Sequence, residues 1–358
     1  MDLAAGQAAP RADRLYWKPM LAVCDPPTLI DRLVDEIRTV ADGHPVVVAF
    51  SGGLDSTTVA ALAKRALGPE RVLLVTVNMG AYNYRRANQI VLEMAEQLGL
   101  RQKCLLGQFA QHRVQSGGPA CNRCTREIKL GMVQAVAGGR LVLTGANRSD
   151  TWGQLGIKVC NGFYSPLLDL DKPQIRALAD ALGLRVPRIG ETSGLRREGC
   201  KLKHLLKPLV NPDYHGQAVA EANEVLLEML QRAGYEAALA NVKIIGPLRR
   251  NIALVNLLPP PPPDLADRIA GALRALGVID EVRMVDRPLT LVVKAGPAVA
   301  GDPHARYWIE HGRLRPDFAA PIVVEWLPSR NARLSTFHVV DARPRDEPGG
   351  QTADRILP

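Results

Sequence analysis

Long hydrophobic runs are missing from this sequence: none of its 358 residues belongs to an apolar stretch of the roughly 20 positions that a membrane-crossing helix needs. The first residues carry Asp2, Arg11, Asp13, Arg14 and Lys18 around no hydrophobic centre, so a secretory signal is missing too and a cytoplasmic location is expected. Cysteine is scarce, with six in the chain, which argues against a disulfide scaffold and for metal or redox chemistry in some of them. The glycine-rich segment Ser51-Gly52-Gly53-Leu54-Asp55-Ser56 lacks the Gly-Lys-Ser/Thr ending of a Walker loop and the glycine spacing of a dinucleotide fingerprint.

What that segment does have is context. It lies between the buried-strand pattern Val46-Val47-Val48-Ala49-Phe50 and a helical stretch from Thr57 to Leu67, so its glycines sit where backbone amides converge on a helix N-terminus, an anion site. A side chain at Gly52 or Gly53 would block the approach of a phosphate, while Ser51, Ser56 and Thr57 add hydroxyl donors. Asp55 would repel that phosphate unless it holds a magnesium ion bridging to pyrophosphate. An ordinary turn capped by serine or aspartate is the bland alternative; six specified positions in a strand-to-helix context argue against it.

An apolar fraction of 47% supplies a sizeable core, and the length suits two or three domains. The net charge of +9 suits a polyanionic partner such as a nucleotide or RNA. Strands and helices alternate from residue 41 to 191: strands near 71–79, 103–106 and 141–145, helices at 85–98, 126–137 and from Lys172. That alternation predicts a parallel sheet with helices on both faces and a ligand at the carboxyl ends of the strands. Residues 1–40 are expected to be a helical extension. Residues 192–300 are expected to form a smaller α+β domain of two helix-hairpin units, the second pairing 281–285 with 290–294, separated by the proline run Pro259 to Pro263. A terminal hairpin is expected in 301–342 and a disordered tail in 343–358.

Cys121 and Cys124 form a CxxC pair and Cys200 stands alone further on. Three thiolates with an open position suit a [4Fe-4S] cluster, or a zinc completed by His204 or water; the lack of a second CxxC or a histidine pair favours iron-sulfur. The neighbours Arg123, Arg126, Lys201 and Lys203 would favour thiolates. Cys24, Cys104 and Cys160 are expected to be buried packing residues.

The SGGxDS segment resembles the PP-loop ATP pyrophosphatases, whose adenine nucleotide alpha hydrolase-like fold and cleavage of ATP between the α and β phosphates this resemblance implies. With Cys121 to Lys129, Thr144 to Asp150 and Ser165-Pro166-Leu167 leading to Arg176, the chain is similar in order to the LarE sulfur insertases, and its cysteine layout is similar to that of the tRNA 2-thiocytidine thiolases. The text around Cys200 departs from the LarE pattern. The resemblance implies ATP and magnesium bound at Ser51 to Thr57, adenine read at Asn78, and Gly145 and Arg148 at the nucleotide. It further implies Lys129 or Arg148 neutralising phosphorus, and Asp150 as a second magnesium ligand or a helix cap. A substrate oxygen would be adenylated and replaced by sulfur from the cluster or from a Cys200 persulfide. The substrate would be a small nucleotide or heterocycle, with tRNA as the rival, the donor sulfide or a cysteine desulfurase, and the enzyme a homo-oligomer. An ammonia-using PP-loop amidase or ligase is the alternative from another reaction class.

Overall fold

The computed structural model describes residues 25–149, 156–187 and 199–345. Helix α1 (Pro26–Ala41) starts where Asp25 accepts a hydrogen bond from the Thr28 amide and two prolines occupy the first turn. It buries Leu29, Ile30, Leu33, Val34, Ile37 and Ala41, one stripe at helical spacing. Strand β1 (Val46–Ala49) is apolar on both faces because helices cover both. Val46 and Val48 join the core formed with α1 and α2 (Leu54–Leu67), whereas Val47 points into a second core with Val133 and Ala137.

The remaining elements follow the alternating plan. They are β2 (Val72–Asn78), α3 (Arg85–Leu98), β3 (Arg101–Leu106), α4 (Gln108–Gln115), the short helix α5 (Cys121–Arg123) and α6 (Gly131–Ala137). Between α5 and α6 runs a wide π-type turn, Cys124–Leu130. Then come β4 (Val142–Leu143), β5 (Val159–Cys160), β6 (Phe163–Tyr164) and α7 (Lys172–Ala181). The sheet order is β3-β2-β1-β4-β6-β5, parallel throughout except for the edge strand β5. The expected α/β class is therefore the observed one, and the glycine-rich loop sits at the carboxyl end of the central strand β1.

The C-terminal part keeps the first expected helix-hairpin unit and departs from the second. Helix α8 (Gln217–Arg232) packs on the antiparallel pair β7 (Leu239–Ile245) and β8 (Ile252–Leu258), and α9 (Pro263–Arg274) then carries the chain across to β9 (Glu281–Met284), which pairs parallel to β8. A helical crossover delivers a strand in the parallel sense, so β9 does not form a hairpin with the next strand. That strand, β10 (Leu289–Ala295), is nearly buried on both faces and is the centre of a separate sheet. It lies between β11 (Ile322–Pro328), parallel to it, and β12 (Phe337–Pro344), antiparallel. The expected terminal hairpin is thus two strands flanking β10, and this sheet crosses the expected boundary at residue 300. Leu206 ties the two small sheets together: its amide donates to the Ile244 carbonyl at 2.9 Å and its carbonyl accepts from Val339 at 2.8 Å. The expected tail overlaps β12 as far as Pro344; residues 346–358 and 1–24 lie outside the described residues. Among the described residues no helix is long and apolar enough to cross a membrane.

Candidate active site

The loop from β1 to α2 has the backbone that its composition implies. Gly52 has φ +70°, and a Cβ there would lie 2.8 Å from the Val91 Cα on α3, so only glycine fits. Gly53 is the N-cap of α2 with φ −80°, and no side chain caps the helix, which leaves the first-turn amides for a ligand. Ser56 braces the turn: its hydroxyl accepts from the Ser51 amide at 3.2 Å, lies 3.0 Å from the Ser51 hydroxyl and donates to the Gly53 carbonyl at 3.2 Å. Gly145, just after β4, permits close approach, since a Cβ there would stand 2.9 Å from Asp55 Cβ and 3.0 Å from the Ser56 nitrogen.

Asp55 is held from two sides. Its Oδ2 pairs with Lys172 Nζ at 2.5 Å and accepts from Asn147 Nδ2 at 3.3 Å. Among the described residues its Oδ1 is buried with no hydrogen-bond partner, as is Thr57 Oγ1. An orphaned carboxylate oxygen beside uncapped amides fits a magnesium ion held by Asp55, which when bound neutralises pyrophosphate charge. Lys172 and Asn147 are site residues that sequence reasoning missed. Both lie in stretches similar to the LarE family, but residue type and spacing give neither a role, and only the fold brings Lys172 to Asp55.

Beside the loop opens a cavity of about 380 Å³, lined among others by Phe50, Ser51, Thr76, Val77, Asn88 and Lys129. Lys129 thus stands beside the glycine loop, on the cavity wall. Asn78 does not line it: its amide donates to Asn88 Oδ1 at 3.2 Å and its Oδ1 accepts from the Gly80 amide at 2.7 Å, a turn-forming role. Arg148 is exposed and donates to the Asp169 carbonyl at 2.7 Å. Asp150 lies outside the described residues.

Cys121, Cys124 and Cys200 gather in one neighbourhood, from the start of α5, the start of the π-type turn and the start of the segment after residue 199. Gln111 Nε2 on α4 donates to Cys200 Sγ at 3.4 Å, and Cys124 and Cys200 both lie in the field of Lys129. Among the described residues, however, no three His, Cys, Asp or Glu side chains stand close enough to ligate one metal ion. The donor set in this arrangement does not fit the expected [4Fe-4S] cluster, and no step is derived through one.

The expected thiolates also meet a correction. Burial pushes the Cys124 thiol up to about 11 and raises Cys200 too, with Lys129 only partly opposing. The flanking cations are engaged elsewhere: Arg123 and Arg126 pair with Glu127 at 2.8 and 3.1 Å, and Lys201 with Glu224 at 2.7 Å. Cys104 is exposed on the edge strand β3 and Cys160 is half-buried on the edge strand β5, so neither is a core residue; Cys24 lies outside the described residues. One cation does address a sulfur, from far along the chain. Arg313 Nη1 donates to Cys121 Sγ at 2.9 Å.

Residues 28–189 match the family described as NAD synthase. The chain is 30% identical over 166 residues to the NH(3)-dependent NAD(+) synthetase of Pyrococcus furiosus, covering 44% of this chain and 63% of that protein. It is 30% identical over 172 residues to a subunit of the glutamine-hydrolyzing GMP synthase of Methanococcus maripaludis, covering 43% of this chain and 55% of that one. The corresponding GMP synthase subunit of Pyrococcus furiosus is 26% identical over 247 residues, covering 61% of this chain and 75% of that protein. The first two relatives are thus matched over less than two thirds of their length. These names lie nearer the ammonia-using alternative than the sulfur-transfer expectation. With the SGGLDS loop at the end of the central parallel strand, the domain within residues 28–189 belongs to the PP-loop ATP pyrophosphatases, the superfamily that includes the NAD synthetases and GMP synthases.

Proposed function

We propose that this protein uses ATP to adenylate an oxygen of its substrate and that ammonia then displaces AMP, making it a PP-loop amidase or ligase. The observation that carries the reading is the uncapped N-terminus of α2 beside the orphaned Asp55 oxygen, a site for a triphosphate and its cation. The substrate oxygen attacks the α-phosphorus and pyrophosphate leaves. Ammonia adds to the activated carbon, a proton is lost, and AMP departs with the oxygen. Lys172, paired with Asp55, and Lys129, on the cavity wall, are placed to neutralise phosphate charge as it develops. The printed names of the relatives support nitrogen as the nucleophile.

A second reading has its own observation. The convergence of Cys121, Cys124 and Cys200 beside Lys129 favours a sulfur nucleophile, carried as a persulfide on Cys200. Its terminal sulfur would displace AMP, and a neighbouring thiol would then take the Cys200 sulfur as a disulfide and free the thiolated product, with an external thiol as reductant. Turnover separates the two readings. Pyrophosphate and AMP released in equal amounts, with a dependence on ammonium that persists when all three cysteines are changed to serine, supports amidation. Turnover that requires a sulfur donor and is lost in that triple variant sinks it in favour of sulfur transfer.

A further inference from the structure

Lys243, on β7, is 1% exposed, yet among the described residues its ammonium makes no hydrogen bond or ion pair. It rests 4.8 Å over the Phe318 ring and faces the charges of Asp317, Arg313 and Lys203. Burying an ammonium whose one facing carboxylate, Asp317, is shared with other cations is costly, and burial pulls this one down to about 7. Arg313, having donated one nitrogen to Cys121, keeps Nη2 buried with no partner. Lys203 faces the same Arg313 and Cys121 and lies 3.7 Å from Asp317. Three cations thus surround one carboxylate among the described residues.

The recess is also held in shape. Asn241 Nδ2 donates to the Asp317 carbonyl at 3.0 Å, and Asn256 Oδ1 accepts from the Ala319 amide at 3.0 Å, pinning the 317–319 loop across β7 and β8. Asp317 itself sits at φ +61°, a left-handed conformation that an L-residue keeps only when its surroundings impose it. Lys203 retains 22% of its side-chain exposure, so the cluster reaches the surface there.

We propose that Lys243, Arg313 and Lys203 form an oxyanion subsite beside Cys121 that grips a carboxylate or phosphate of the acceptor substrate. The proposal rests on the adenylation reading for the identity of the ligand as acceptor, but not for its binding. An arriving oxyanion adds a hydrogen-bonding counter-charge to the Asp317 carboxylate that faces Lys243 and occupies the unpartnered Arg313 nitrogen. The acceptor would then lie along the thiols, with its reacting oxygen toward Lys129.

The test is calorimetric titration of the full chain with inorganic phosphate and, separately, malonate, in a Gly53→Ala background that removes phosphate from the PP-loop. One equivalent of oxyanion is expected to bind, at least about tenfold more weakly in Lys243→Met and in Arg313→Gln. Phosphate-only or malonate-only binding assigns the acid group. Because Lys243 is a core residue, Arg313→Gln, which removes a half-exposed side chain, serves as the variant least exposed to a folding failure. A second readout maps the site: bound oxyanion should slow iodoacetamide alkylation of Cys121, read by peptide mass spectrometry, while leaving Cys104 unaffected. No binding in the Gly53→Ala chain, or equal affinity in Arg313→Gln, overturns the subsite. Absence of ATP–pyrophosphate exchange in the parent chain, with oxyanion binding intact in the Gly53→Ala chain, sinks the adenylation reading alone.

Discussion

Gly52 and Gly53 are adjacent and chemically identical, yet the structure assigns them opposite sensitivities. At Gly52 an alanine must hold φ near +70° and place its Cβ 2.8 Å from the Val91 Cα and 3.0 Å from Val91 Cγ2. The left-handed backbone costs about 1–2 kcal/mol for an L-residue, and forcing α3 outward by several tenths of an ångström costs about 1–3 kcal/mol more. A loss of roughly 2–5 kcal/mol lowers the melting temperature of a domain this size by about 5–15 °C. At Gly53, with φ −80°, the nearest atom to a new Cβ is Ser51 Oγ at 3.5 Å, an ordinary contact. Gly53→Ala should therefore melt within about 2 °C of the parent, but its methyl occupies the space a phosphate needs, and ATP affinity should fall about tenfold or more. Differential scanning calorimetry and nucleotide titration on both variants check the pair. A Gly52→Ala protein melting with the parent, or a Gly53→Ala protein binding ATP as tightly, would refute the assignment of one glycine to folding and the other to the ligand.

Lys172→Met removes the cation on Asp55; since the Lys172 side chain is 44% exposed, stability should change by less than about 1 kcal/mol, while pyrophosphate release should slow about 10²-fold, because an unpaired Asp55 opposes the phosphates. The buried Cys124 thiol, pushed up to about 11, should resist alkylation at neutral pH and react half-maximally only near pH 11; a profile with a midpoint below pH 9 contradicts its burial. His215 and His338 are lowered to about 4 by burial, so the unfolded chain binds more protons than the fold between about pH 4 and 6.5, and stability should rise with pH across that window. Replacing His338 with Gln should flatten the rise by up to about 1.4 kcal/mol per pH unit, measured by urea unfolding at a series of pH values.

The nucleotide half of the site was legible because it is local. Strand β1, the glycine loop and α2 are consecutive, and the residues that shape the turn bond to one another within a few positions. Helix α3 was legible for the same reason, its apolar stripe and Gly99 stop lying in one stretch. What escaped were contacts between distant positions. Lys172 meets Asp55 across 117 residues and Arg313 meets Cys121 across 192, and neither lysine nor arginine advertises its partner. The Asn78 side chain was not legible as a turn former, since a strand-end asparagine suits a ligand and a turn equally well, and here the Gly80 amide claims it while its neighbour Val77 lines the cavity. In the C-terminal sheets the first hairpin, β7 with β8, was found with its pairing, but the partners of β9 to β12 were not: residue pattern reports burial along a strand, whereas pairing depends on whether a helix or a tight turn carries the chain onward.

That division between local and distant also bears on where substrate choice resides. The cavity, the glycine loop and Lys129 all lie within the region matched to the NAD synthase family, apart from Gly199 on the cavity's rim. A shared cradle of this kind serves ATP whatever the acceptor. The similarity to the Pyrococcus furiosus GMP synthase subunit covers 61% of the chain, more than the whole segment up to Pro187, so it extends past that residue toward the C-terminal sheets. Those sheets supply Lys243 and Arg313, and Lys207, bonded to the Pro247 and Arg250 carbonyls at 2.7 and 2.8 Å, braces the β7–β8 turn beside them. A domain that existed only to stabilise the fold would gain little from an unpaired lysine in its core. Keeping that cation where the chain turns back onto Cys121 makes sense if the C-terminal sheets choose the acceptor and the PP-loop domain activates it.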